Sequence, residues 1–125
     1  MSWRSGLEEG NAALLRSRGI SFSYEQRKLK WLPEVKCRTY TPDFEITTRS
    51  GKKIIVETKG YWTSEDRQKM LAVVTQHPDL DIRIVFQNPN AKIRKGSKTT
   101  YAEWCQKYLK IAWAKGLIPD AWLEE

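Results

Sequence analysis

Apolar and polar positions alternate along the chain with two distinct periods, and the switches between them mark out a set of short elements. Ser5-Gly6-Leu7-Glu8 has the form of a capping box and opens a helix that runs to about Arg18. Gly19 is a natural stop, and Arg16 and Arg18 in the last turn complement the helix dipole. From Ser21 to Lys30, Phe22, Tyr24 and later Leu29 alternate with polar residues, which predicts one strand interrupted at Trp31-Leu32-Pro33. Glu34 to Arg38 reads either as a connecting loop or as a strand leaving the body of the domain. Thr47 to Lys52 reads as the turn of a hairpin whose arms carry Asp43 and Glu57. Thr63-Ser64-Glu65-Asp66 caps a second helix with Met70, Val73, Val74 and His77 on one face, ended by Pro78. Ile82 to Phe86 is a short apolar run and predicts a central strand. A basic loop from Lys92 to Lys98 precedes a helix from about Thr99 to Leu109, and Pro119 to Trp122 forms a last helical turn. The order of elements predicts a mixed β-sheet flanked by helices, in the α/β or α+β class. The crossover from the Glu57 strand to the Ile82 strand is expected to be a right-handed parallel unit.

The hairpin carries the candidate chemistry. Residues i and i+2 of a strand share a face, so Glu57 and Lys59 point one way while Val56 and Thr58 point the other. Pro42 fits the start or edge of its own strand and brings Asp43 to its beginning. If the two strands pair, Asp43, Glu57 and Lys59 converge. Two carboxylates beside an amine form the set that phosphodiester-cleaving metal sites use.

Composition sharpens this. The 125 residues suit one domain, 1–125, and include 22 Lys+Arg against 15 Asp+Glu, a net charge of +7. That balance is expected of a protein with a polyanionic partner. The carboxylates above lie in basic sequence, which favours a metal site facing phosphate over a purely basic surface. Cys37, Cys105 and a single histidine, His77, cannot supply a closed four-ligand zinc site at structural spacing. No apolar run reaches membrane-span length and no signal-peptide apolar region opens the chain, so no membrane partner and a cytoplasmic location are expected.

Each residue also has a plainer reading. Asp43 alone is more often a turn residue after Pro42, and Glu57 with Lys59 more often a solvated strand end. Together, in basic sequence, the three read as functional. Glu8 reads as a helix cap. His77, on the apolar helix face, reads as a packed core histidine, and the six tryptophans as core or interface anchors. Lys92, Arg94, Lys95 and Lys98 are equally an ordinary solvated loop or a DNA phosphate clamp.

Taken in order, Arg4 to Glu8, Tyr40 to Phe44, Val56 to Gly60, Gln76 to Pro78 and Leu80 to Phe86 resemble the endonuclease I family, the Holliday-junction resolvases of T-odd coliphages and related prophages. Lys95-Gly96-Ser97, Tyr101, Cys105, and Leu117 to Pro119 before Trp122 extend the resemblance over nearly the whole chain. It implies a PD-(D/E)xK, restriction-endonuclease-like fold and a homodimer that cuts branched DNA with Mg²⁺, Mn²⁺ being able to substitute. It carries Glu8, Asp43, Glu57 and Lys59 over as the catalytic set. Asp43 and Glu57 are then expected to hold one or two metal ions with Glu8 completing the second site, and Lys59 to position the nucleophile or stabilise the transition state. For Glu8 the resemblance overturns the cap reading, although one side chain could serve both roles. The family further suggests a domain-swapped dimer bridged by 31–38, with sites shared between chains, acting in the host cytoplasm if phage- or prophage-encoded. Against the family pattern, the chain begins almost at the first motif, stops near Trp122 without a basic tail, and diverges over 31–38, where Pro33 is the single proline. DNA affinity and dimer linkage are what these departures bear on. The rival readings are another nuclease of the same fold, of restriction, repair or transposon-end type, and a non-catalytic architectural DNA-binding protein, which would need no acidic cluster.

Overall fold

A five-stranded mixed sheet organises the protein, with two hydrophobic clusters packed against it. The computed structural model describes residues 5–31 and 38–125. Helix α1 (Gly6–Ser17) leads into strands β1 (Phe22–Tyr24), β2 (Leu29–Trp31), β3 (Arg38–Tyr40), β4 (Phe44–Thr47) and β5 (Lys53–Lys59). Helix α2 (Ser64–Gln76), strand β6 (Ile82–Phe86), helix α3 (Tyr101–Trp104), strand β7 (Trp113–Lys115) and helix α4 (Asp120–Leu123) follow. The sheet order is β1-β4-β5-β6-β7, antiparallel through β5 and parallel from β5 to β7, while β2 and β3 form a separate antiparallel ribbon.

The hairpin of β4 and β5 closes through the expected turn, where Thr48 donates its N–H to Lys52 O at 2.8 Å. Gly51 sits there at φ +92, a conformation that L side chains rarely adopt. Along β5, Ile54 and Val56 enter one cluster with Ala12 and Leu15 of α1, and Ile55 enters the other with Met70 and Val73 of α2. The period of two therefore delivers Thr58 to the α1 side, and Glu57 and Lys59 to the α2 side. The crossover through α2 does return to a parallel strand, β6, and every residue of β6 is buried.

Several expectations need correction. The strand expected over 21–30 is two strands in two different sheets, broken by Glu25 in a left-handed conformation at φ 53. Trp31 does not interrupt that strand but ends β2, paired with Arg38. The helix expected over 99–109 is α-helical only from Tyr101 to Trp104. It widens into a π-helical turn over Cys105–Leu109 and ends at Lys110 with φ 56. Strand β7 was not expected, since Trp113-Ala114-Lys115 shows no alternation and is a strand only by pairing with β6. His77 is the half-buried C-cap of α2, bonded through Nε2 to Lys30 O, and not a core residue. The 31–38 bridge falls almost entirely outside the described residues.

Two polar clamps fix the periphery. Asn11, fully buried, donates to Leu7 O and Gly116 O and accepts from Ile118 N at 2.9 Å, locking α1 to the C-terminal segment. Arg83 donates to both carboxylate oxygens of Asp81 and of Glu125, and its guanidinium lies 5.2 Å from the Trp122 ring centroid. No helix among the described residues is long and apolar enough to cross a membrane.

Candidate active site

At the C-terminal end of β5 a polar cleft of about 550 Å³ opens, lined by Glu8, Asp43, Glu57 and Lys59 together. Each side chain arrives by a different local rule. Ser5 accepts from Glu8 N at 3.1 Å and starts α1, so Glu8 occupies the first helical turn while its carboxylate is buried in the cleft. Asp43 precedes β4 and is 1% exposed, and its Oδ2 accepts from both Thr58 N and Thr58 Oγ1, at 2.9 and 2.7 Å. These two bonds tie the Asp43 carboxylate to the strand that carries Glu57. Glu57 and Lys59 share a face of β5, with Nζ to Oε1 at 3.6 Å.

Glu57 faces Tyr40, whose hydroxyl donates to Glu57 Oε2. Burial first, and the Asp43 carboxylate second, push Glu57 up to about 8. The Lys59 ammonium and the Tyr40 hydroxyl favour the charged form but do not prevail. Burial, followed by the charge of Glu57, holds the Tyr40 hydroxyl well above its ordinary range. A buried glutamate that resists ionising beside the Asp43 carboxylate presents the electrostatic situation a divalent cation relieves.

A further carboxylate joins from the residue that follows β1. Glu25 brings one oxygen within 4.8 Å of an oxygen of Glu8 and of Asp43, and its N–H donates to Asp43 O. Hard oxygen donors converging in this way suit a divalent cation, so the residues present fit one. Glu57 lies outside that close triad. With Lys59 it forms the wall between the main cleft and a second one of about 540 Å³, lined also by Glu25, Tyr40 and Lys69. Lys92, Arg94, Lys95 and Lys98 line neither. They belong to a tight turn closed by Ile93 N to Thr99 O, and buried Arg67 bonds both Ile93 O and Trp62 O, fastening that turn near the end of β5.

Glu25 and Tyr40 were missed from the sequence. The one signal available was Tyr40 itself, three positions before Asp43, since a buried tyrosine hydroxyl usually finds a partner. Cys105 is buried, which pushes its thiol up to about 12 and leaves it inert.

Fold and site together define an α+β protein whose cleft sets carboxylate oxygens beside an ammonium group, a centre suited to a divalent cation. The comparisons narrow this class. The family model for phage endonuclease I matches residues 1–125. Over 124 residues the chain is 46% identical to Endonuclease I of Escherichia phage T7, covering 99% of this chain and 80% of that protein. It is 44% identical to Endodeoxyribonuclease 1 of Enterobacteria phage T3, covering 99% of this chain and 78% of that protein. The chain belongs to the phage endonuclease I family.

Proposed function

We propose that this protein is an endonuclease that resolves four-way junctions and other branched DNA by divalent-metal-dependent hydrolysis of a phosphodiester. The gathering of Glu8, Asp43, Glu57 and Lys59 in one cleft of a chain with net charge +7 carries the reading. The relatives' names, Endonuclease I and Endodeoxyribonuclease 1, supply DNA as the substrate. The fold proposed is the PD-(D/E)xK nuclease fold in a single domain, and the active form a homodimer joined through 31–38.

In this reading Glu8, Asp43 and Glu57 hold the metal, with Glu25 joining beside Glu8 and Asp43. Bound Mg²⁺, or Mn²⁺ in its place, supplies a lowered pKa for water and neutralises charge on the reacting phosphate. The protein's own part is positional. Thr58 holds the Asp43 carboxylate in one orientation, so the cation site needs little rearrangement. Tyr40 fixes the Glu57 carboxylate from the other side. Lys59 presents its ammonium to a phosphate oxygen or to the attacking water and stabilises the charge that develops as the P–O bond breaks. Basic surface around the cleft holds the arms of the junction through their phosphates, so branch shape sets selectivity more than base identity.

The deciding experiment incubates the protein with a synthetic four-way junction and with a linear duplex of the same arms, each with and without Mg²⁺. Paired nicks near the branch, only with metal and only in the junction, are expected. Equal binding to both substrates with no cleavage would replace this reading with that of an architectural binder.

A further inference from the structure

We infer that Tyr61 is a stacking residue that reads the branch point, by packing its ring on the base-pair face that a junction exposes and a linear duplex hides. The inference rests on the branched-DNA reading above and names a residue that gives that site its selectivity. Among the described residues three large hydrophobics are exposed: Tyr61 at 80%, Leu117 at 53% and Tyr108 at 48%. Tyr108 is occupied, lying 5.0 Å from the Trp104 ring with Lys107 Nζ 5.3 Å from its own. Leu117 has no ring to stack and lies away from the cleft. Tyr61 lines the cleft beside Lys59, and no hydrogen bond, ion pair or ring contact engages it among the described residues.

Its mounting is rigid although its ring is free. On one side, Gln87 N donates to Lys59 O at 2.9 Å. On the other side, Trp62 is fully buried against Phe86, Tyr101 and Trp104, at ring distances of 5.0, 5.8 and 5.3 Å. The Trp62 N–H donates to the Tyr101 hydroxyl, and Arg67 bonds the Trp62 carbonyl. A turn whose backbone is pinned at both ends holds an aromatic side chain out into solvent at a fixed point of the cleft mouth, with its ring free to settle on a partner. Lone surface aromatics are ordinary on folded proteins. This one stands at the mouth of the cleft, two residues from the lysine that would meet the scissile phosphate. Where the arms at a branch are not stacked on one another, the base pair that ends each arm lacks a stacking partner, and an aromatic ring can replace it. Tyrosine also leaves its hydroxyl in water.

The test uses the full-length protein with Tyr61→Ala, Tyr61→Phe and Tyr61→Trp, their folding verified by thermal melting. Binding is measured without divalent metal to a four-way junction carrying 2-aminopurine beside the branch and to a linear duplex of the same arms. Tyr61→Ala is expected to lose roughly tenfold in junction affinity with duplex affinity unchanged, while Phe and Trp retain the wild-type preference. The 2-aminopurine fluorescence should be quenched by the wild type and by the aromatic variants but not by Tyr61→Ala. Undiminished junction affinity in Tyr61→Ala, or equal loss on both substrates, would overturn the inference and leave the endonuclease reading standing. A changed oligomeric state in Tyr61→Ala would assign the ring to a protein interface instead. If the wild type itself neither prefers nor cuts junctions, the functional reading fails and this inference falls with it.

Discussion

Glu57 sets the pH behaviour of the site at the residue scale. Its folded-state value, about 8, lies above the ordinary 4.5, so the folded protein keeps a proton that the unfolded chain releases. Stability from this group is therefore fully present below about pH 4.5 and is lost as pH rises toward 8. Metal-free protein unfolded in urea between pH 5 and 9 should show that decline, and Glu57→Gln should flatten it; equal slopes would remove Glu57 as the cause. Lys59 has a separate test. Lys59→Ala should slow junction cleavage by roughly 10²–10³-fold while junction binding changes little, because phosphate contacts elsewhere carry the affinity. Wild-type cleavage by that variant would take Lys59 out of the chemistry. The pairing of Glu57 with Lys59 was legible because strand period alone dictates it. Glu25 and Tyr40 were not, since Tyr40 ends and Glu25 directly follows a three-residue strand whose partner is chosen by tertiary pairing.

At the scale of elements, α1 matters because it carries Glu8, and Asn11 decides where α1 lies. Removing the Asn11 amide strands the Ile118 N–H and Gly116 carbonyl that it bonds. Asn11→Ala should lower unfolding stability by about 2–4 kcal/mol and raise the Mg²⁺ concentration needed for half-maximal cleavage. A stability loss with an unchanged metal requirement would mean that Glu8 does not depend on this clamp. The start of α1 was readable in Ser5, but the destination of Glu8 was not. A glutamate three residues after a cap satisfies the local rule completely, and only the resemblance to a family pointed it toward a site. Strand β7 and the turn after Trp104 were illegible for a related reason. Each takes its form from neighbours distant in sequence, β6 for the strand and the α2 side of the core for Cys105 and Leu109.

The whole molecule is where the proposed dimer is tested. If each site combines Glu8 of one chain with Asp43, Glu57 and Lys59 of the other, a mixed dimer of Glu8→Gln and Asp43→Asn contains one doubly damaged site and one intact site. Purified heterodimers should then nick a single strand of the junction, although each homodimer is inactive. Absence of nicking would mean that each site is built within one chain, leaving the metal chemistry untouched.

The arrangement of the two cores has a mechanical consequence. Glu8 comes from α1, packed on one side of the sheet, while Glu57, Lys59 and Tyr40 stand on the α2 side, with Thr58 and Asp43 stitching the join. Neither layer holds a complete set, so the cleft acts as a gauge of the alignment between them. A slip of about 1 Å can cost on the order of a hundredfold in rate, well before either core comes apart. Under urea the midpoint for loss of cleavage should therefore fall below the midpoint for unfolding, making activity the more sensitive indicator of whether the two layers remain in register.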